Sequence, residues 1–341
     1  MMVQMRVALL CSLLVLLAAC APPPAPPDPQ LWGTLKPGPY AVGFGLRWET
    51  DPSRTYGLEK DGVTKRPRPI PVGVWYPARP SPAEHMQVAD YFDMRSKQVQ
   101  FDELAAKLNA HIREIVAQSM GDPTAVNRFL AMRTSATFDA PPAKGQFPVV
   151  IYCSNGSYAE DFVLFEYLAS NGYVVLSTSD HSDDPAVPWP GIDLTRMRDM
   201  YFLDRFAALL GNADASHLAS MGFGLGAVNA LAWAEERDTP LDAVVAFEPI
   251  WPMPKGSLVA SSSSKVATIV FSAFPDASRR SFEVVIPGMA GNFITVRIVR
   301  ETARSHREDY DRVCRLTLLF LDAHLKRNPS ALAEFRRLSQ K

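Results

Sequence analysis

The chain has little net charge, few cysteines and few histidines. With 35 Lys+Arg against 36 Asp+Glu, its formal charge is −1. That balance gives no electrostatic case for binding nucleic acid or anionic lipid. Of the four cysteines, Cys11 falls inside an N-terminal leader and Cys20 ends it. Cys153 and Cys314 remain, and their separation neither requires nor forbids a disulfide. Neither stands at a ligand spacing from any of the six histidines, so no structural zinc, other metal or cofactor is expected. The absence with most consequence is a serine, missing from a motif described below.

Arg6 and the apolar stretch Val7 to Ala19 have the layout of an export signal, too short and wrongly flanked for a membrane span. Leu17-Ala18-Ala19-Cys20 resembles the bacterial lipobox, which predicts cleavage after residue 19 and lipidation of Cys20. Removing Arg6 leaves 34 basic against 36 acidic residues, a formal charge of −2. Alanine at position 21 favours the outer over the inner membrane in a Gram-negative host. The expected location is therefore the cell envelope, lipid-anchored and facing the periplasm. Residues 20–30 (CAPPPAPPDPQ) read as a stiff, extended tether, and residues 31–341 as one globular domain.

Ser216 to Glu236 (SHLASMGFGLGAVNALAWAEE) runs from small apolar residues through a glycine-dense turn into a helical pattern. Strand, sharp turn and helix is the setting of the G-x-S-x-G nucleophile elbow. Here the pentapeptide is Gly222-Phe223-Gly224-Leu225-Gly226, with glycine at the nucleophile position. The same letters satisfy the dinucleotide fingerprint G-x-G-x-x-A through Ala227, with Glu248 at the place of a ribose-binding acid. A tight packing turn without a ligand fits them too.

The rest of the chain alternates strands with helices, which predicts an α/β fold with a mostly parallel sheet covered on both faces. Strands are expected at 40–49, 70–76, 147–152, 173–177, 217–221, 241–247, 266–271 and 293–298. Residues 51–69 read as a polar hairpin or loop. Residues 81–144 form a helical insertion after the early strands, with Phe101, Leu104, Leu108, Ile112 and Ile115 on one stripe. Such an insertion could cap a pocket or pack at the side. An amphipathic helix is expected at 310–325, and a last one capped by Asn328 with Pro329 at its first position.

GPYAVGF (Gly38 to Phe44), IPVGVWYPA (Ile70 to Ala78), FPVVIY (Phe147 to Tyr152), LASNGYVVLSTSDH (Leu168 to His181), the glycine turn and LLFLDAHLK (Leu318 to Lys326) follow one another in a familiar order. Together they resemble the α/β-hydrolase superfamily, with the closest likeness to bacterial esterases of the platelet-activating-factor acetylhydrolase and dienelactone hydrolase type. The dinucleotide reading fits less well, because its fingerprint normally follows the first strand of its domain. The resemblance implies an acid after a late strand and a histidine after the last one. Asp276 and His306 match those positions, with Glu248 as the alternative acid. It also implies an oxyanion loop after the third core strand, working with the amide of the residue after the nucleophile. Ser154-Asn155 replace the usual His-Gly there, and Leu225 supplies the second amide.

Two altered elements in one site point to a degenerate esterase that binds an acyl- or ester-like molecule, or a protein partner. Two other functions remain open at this stage. One is an active ester hydrolase with a displaced nucleophile (Cys153, Ser154, Ser157 or Ser220). The other is a nucleotide-binding enzyme.

Overall fold

The computed structural model describes residues 29–58, 62–94, 96, 98–182, 195–249, 266–272, 293–297 and 303–339. After a short helix α1 (Pro29–Trp32) the chain forms a long hairpin, β1 (Ala41–Leu58) and β2 (Lys65–Ala78). The sequence leads one to end the first strand at Glu49 and begin the second at Ile70. The arms continue because their polar residues have internal partners, described below. All four prolines of β2 (Pro67, Pro69, Pro71 and Pro77) have the same parity, so their nitrogens face away from β1. On that side β2 pairs with its other neighbour only from Val72 to Trp75, and no ladder bond is lost.

Residues 88–120 carry helical spacing in the sequence but do not form one helix. They divide into α2 (Val88–Tyr91), a 3₁₀ turn (Val99–Phe101) and α3 (Asp102–Met120). Phe101, Leu104, Leu108 and Ile112 of the expected stripe are buried, whereas Ile115 is exposed. Gly121 ends α3 in the left-handed region, with φ 67°. The Asp122 carboxylate then caps α4 (Pro123–Leu130), accepting from the amides of Thr124 and Ala125. The insertion also holds a strand that the sequence did not suggest, β3 (Ala136–Phe138), paired parallel to β1.

The core alternates β4 (Phe147–Cys153), α5 (Phe162–Ser170), β5 (Val174–Thr178), α6 (Thr195–Ala207), β6 (Ala213–Phe223), α7 (Leu225–Glu236) and β7 (Ala243–Phe247). Then come β8 (Ala267–Ser272), β9 (Phe293–Arg297), α8 (Ala303–His324) and α9 (Pro329–Ser339). The Asn328 side chain caps α9 by accepting from the amides of Ser330 and Ala331. Among the described residues the nine strands make one sheet, in the order β3-β1-β2-β5-β4-β6-β7-β8-β9. From β5 to β9 all neighbours are parallel. One face packs on α3, α5 and α8 through residues such as Leu108, Phe165 and Phe320. The other packs on α6 and α7 through Met200, Leu203 and Trp233.

Strand order reverses at β4, which has β5 on one side and β6 on the other. In open α/β sheets ligands bind outside the carboxyl ends of the strands at such a switch point. The residues after β4 and after β6 therefore form the place to search for a site.

Candidate functional site

Cys153, the last residue of β4, pairs with Gly222 of β6, so the loop after β4 and the turn after β6 are neighbours. The two outer glycines of the turn are required by packing. A Cβ at Gly226 would lie 2.0 Å from the carbonyl oxygen of Cys153, and one at Gly222 would lie 2.5 Å from the carbonyl carbon of Gly226. Helix α7 thus rests directly on β4 and β6. The middle glycine has a different reason to be there. Gly224 has φ 57° and ψ −119°, a combination that strains any residue with a Cβ. Its amide donates to the carbonyl of Phe247 at 2.9 Å, tying the turn to the end of β7. The first amides of α7, beginning with Leu225, have no partner within their own helix.

The next residue along β7, Glu248, has φ 43° and donates its amide to the Phe271 carbonyl at 2.7 Å. A left-handed glutamate costs roughly 1 kcal/mol or more, and here it stands beside the turn. Glu248 thus directly follows the residue whose carbonyl holds the Gly224 amide. Asp276 lies outside the described residues, as does Cys20. His306 falls in the first turn of α8, not in a loop before the helix, because α8 begins at Ala303. Its side chain is outside the described set. One turn further on, Tyr310 stands near Asp161: burial first, then the charges of Cys314 and Asp161, push its hydroxyl well above the usual range.

The loop after β4 is fastened at many points. Ser154 is buried and its hydroxyl donates to the Thr178 carbonyl at 2.6 Å. The Tyr158 amide donates to Ser179 Oγ at 3.2 Å, and the Tyr158 hydroxyl to the Tyr91 carbonyl at 2.5 Å. The Asp180 amide donates to the Gly156 carbonyl at 3.0 Å. Helix α3 flanks the loop, since a Cβ on Gly156 would meet Ile115 at 3.8 Å.

The Asn155 amide is held by a carboxylate. It donates to Glu160 Oε1 at 2.9 Å and Oε2 at 3.1 Å. The Tyr152 hydroxyl lies 2.8 Å from Glu160 Oε1 and 2.5 Å from Asp161 Oδ2. Burial, then the neighbouring Asp161 charge, pushes Glu160 up to about 8, outweighing the Asn155 amide, Tyr152 and Arg196. Burial raises Asp161 as well. Both acids remain partly exposed at the surface. Sequence reasoning missed this cluster: Glu160 and Asp161 are adjacent in CSNGSYAED, but nothing in the letters shows that both turn onto Tyr152.

Among the described residues, the four alternative nucleophiles are buried or bonded to backbone. Cys153 is buried, and burial pushes its thiol far above the normal range, leaving no thiolate. Ser154 and Ser220 give their hydroxyl protons to backbone carbonyls, that of Ala230 in the case of Ser220. Ser157 is buried and accepts from the Ala159 amide.

A buried charge network braces the far side of the switch point. Arg54 and Arg68 of the hairpin converge on Asp199 of α6, and Arg54 also pairs with Asp51. Arg68 donates to the carbonyls of Ser182 and His181 at 2.9 and 3.0 Å. Arg196 pairs with Asp180. Burial alone would raise Asp199, but Arg68 and Arg54 outweigh it and hold the acid below its usual range. These pairs are the partners that extend the polar arms of β1 and β2, and they fix the segment after β5 beneath the site.

The sheet order, the strand–Gly224–helix turn and the flanking helices define the α/β-hydrolase fold. A solved structure similar to this chain is a ferulic acid esterase from Streptomyces cinnamoneus, with TM-score 0.59 and 17% identity over 85% of this chain and 91% of that one. No protein-family model matches the chain, and no curated protein matches it.

Proposed function

We propose that this protein is a catalytically degenerate relative of carboxylic-ester hydrolases that binds an acyl- or ester-like ligand at the β6–α7 turn without cleaving it. The observation that carries the reading is Gly224, which has the strained turn geometry and no side chain to attack a carbonyl. The burial of Cys153 and the backbone hydrogen bonds of Ser154, Ser157 and Ser220 argue against a substitute close by. Loss of the nucleophile from a triad removes on the order of 10⁶ in kcat, roughly 8–9 kcal/mol of barrier stabilisation. What remains is a rim of amide donors at Asn155 and Leu225, for which the family resemblance names Glu248 or Asp276, and His306, as the polar partners. The fold likeness to an esterase supports an ester or acyl group as the ligand class. In the same reading, lipidation of Cys20 holds the domain on the envelope membrane.

Purified wild type is expected neither to hydrolyse p-nitrophenyl butyrate nor to label with a fluorophosphonate. Ester turnover that His306→Ala abolishes, with the fold intact, would establish a displaced nucleophile and overturn the binding reading. The anchor is tested separately: metabolic palmitate should label wild type and not Cys20→Ser, and equal labelling would remove it.

A further inference from the structure

We infer that the Glu160 carboxylate is a built-in occupant of the Asn155 amide, and that a ligand carbonyl or carboxylate enters the site by displacing it. The inference rests on the binding reading above and specifies how that site is kept closed.

Asn155 is the second residue beyond β4, at the switch point and against the start of α7. Its neighbour Ser154 lies 3.3 Å from where a Cβ of Gly226 would stand. An amide N–H carries one proton, and here both oxygens of one carboxylate share it. Any ligand oxygen seeking that donor meets an acceptor already in place. The chemistry of the occupant, a planar pair of oxygens on carbon, is also the chemistry of the ligand class proposed.

Glu160 is not needed to hold the loop. The Ser154 hydroxyl, the Tyr158 amide, the Tyr158 hydroxyl and the Gly156 carbonyl each tie it down independently. Part of the Glu160 residue reaches the surface, which gives its buried carboxyl a short path to water. Its other hydrogen-bonding side chain is shared with Asp161. The Tyr152 hydroxyl touches both Glu160 and Asp161, but its single proton serves only one of them. Both contacts are hydrogen bonds only when one carboxyl carries a proton, so the cluster does not hold two bare carboxylates against one phenol. Arg196 of α6 faces Glu160, and Tyr310 of α8 faces Asp161.

Hexanoate is the probe, measured by isothermal titration calorimetry on the full chain as wild type, Glu160→Ala, Glu160→Gln and Tyr158→Phe. Removing the occupant frees a charge-assisted bond, so Glu160→Ala should bind hexanoate about tenfold more tightly or better. Glu160→Gln keeps the side chain's size and should fall between, serving as the test if the alanine variant does not fold. Tyr158→Phe cuts a different tether and should bind like wild type. A gain in Tyr158→Phe equal to that in Glu160→Ala would trace the effect to loop loosening and overturn the inference. Equal binding by wild type and Glu160→Ala would overturn displacement while leaving the site reading standing. No binding by any variant would overturn both displacement and the ligand class.

Discussion

The three glycines of the β6–α7 turn should respond differently to alanine, because each is glycine for a different reason. At Gly224 the obstacle is conformational. Holding a residue with a Cβ at φ 57° and ψ −119° costs roughly 1–3 kcal/mol. Alanine recovers about 0.4–1 kcal/mol by stiffening the unfolded chain. The net loss for Gly224→Ala is therefore about 1–2 kcal/mol, a fall in Tm of roughly 2–4 °C for a domain of this size. At Gly226 the obstacle is a backbone oxygen 2.0 Å from the new methyl group. Neither β4 nor α7 can yield cheaply, so Gly226→Ala should cost about 3 kcal/mol or more. Gly222→Ala, at 2.5 Å from the Gly226 carbonyl carbon, should cost more than Gly224→Ala and no more than Gly226→Ala. The assay is reversible urea unfolding of the three variants, followed by circular dichroism. Gly224→Ser should match Gly224→Ala, since the Cβ causes the strain. A neutral or stabilising Gly224→Ala would show that the turn does not adopt these angles, and the argument for a nucleophile geometry without a nucleophile would fail with it.

Asp199→Ala leaves Arg54 and Arg68 without the carboxylate they share and should cost on the order of 3–5 kcal/mol in the same assay; a loss below about 1 kcal/mol would mean the network is not buried as described. Glu166 accepts from Trp32 Nε1, the Tyr91 hydroxyl and the Ser135 amide, yet burial pushes it up to about 7. Because its folded value lies above the unfolded one, its contribution is complete below the unfolded value of 4.5 and is lost as pH rises through about 7. Wild-type stability should therefore fall between those two values, and Glu166→Gln, which resembles the protonated acid, should flatten the slope; an unchanged slope refutes the assignment. Cys153 and Cys314 are buried and not joined in a disulfide, so a maleimide should label neither in the native protein and both in urea; native labelling of Cys153 would reopen its candidacy as a nucleophile.

Much of the sheet was legible because parallel strands buried on both faces must be apolar throughout. FPVVIY, YVVLS and the run 241–247 could be read directly for that reason. The glycine turn was legible because sterics leave few alternatives at Gly222 and Gly226. Other features depend on partners distant in sequence. Arg54 and Arg68 look like loop residues until Asp199, more than a hundred positions away, neutralises them inside the protein. The break between α2 and α3 was hidden because both pieces keep a helical stripe while Phe92 to Met94 does not continue the helix. His306 was read as a loop residue because the first turn of α8, ARSHRED, has no apolar spacing to signal a helix. The acid cluster at Tyr152 was invisible for a geometric reason, since neighbouring residues in a chain ordinarily point apart.

The parity of the β2 prolines has a consequence for how the hairpin finds its alignment. Asp51 lies opposite Arg68, and Trp48 opposite Pro71. Sliding one arm past the other by a single residue would turn four proline nitrogens toward β1, where each takes the place of a donor. Every such position would leave a β1 carbonyl unmatched, at about 1–3 kcal/mol apiece where water is excluded. The same slip would carry the apolar side chains of β2 to the opposite face. Misaligned hairpins are thus penalised twice, and a long two-stranded arm that could otherwise pair in several ways folds to one register.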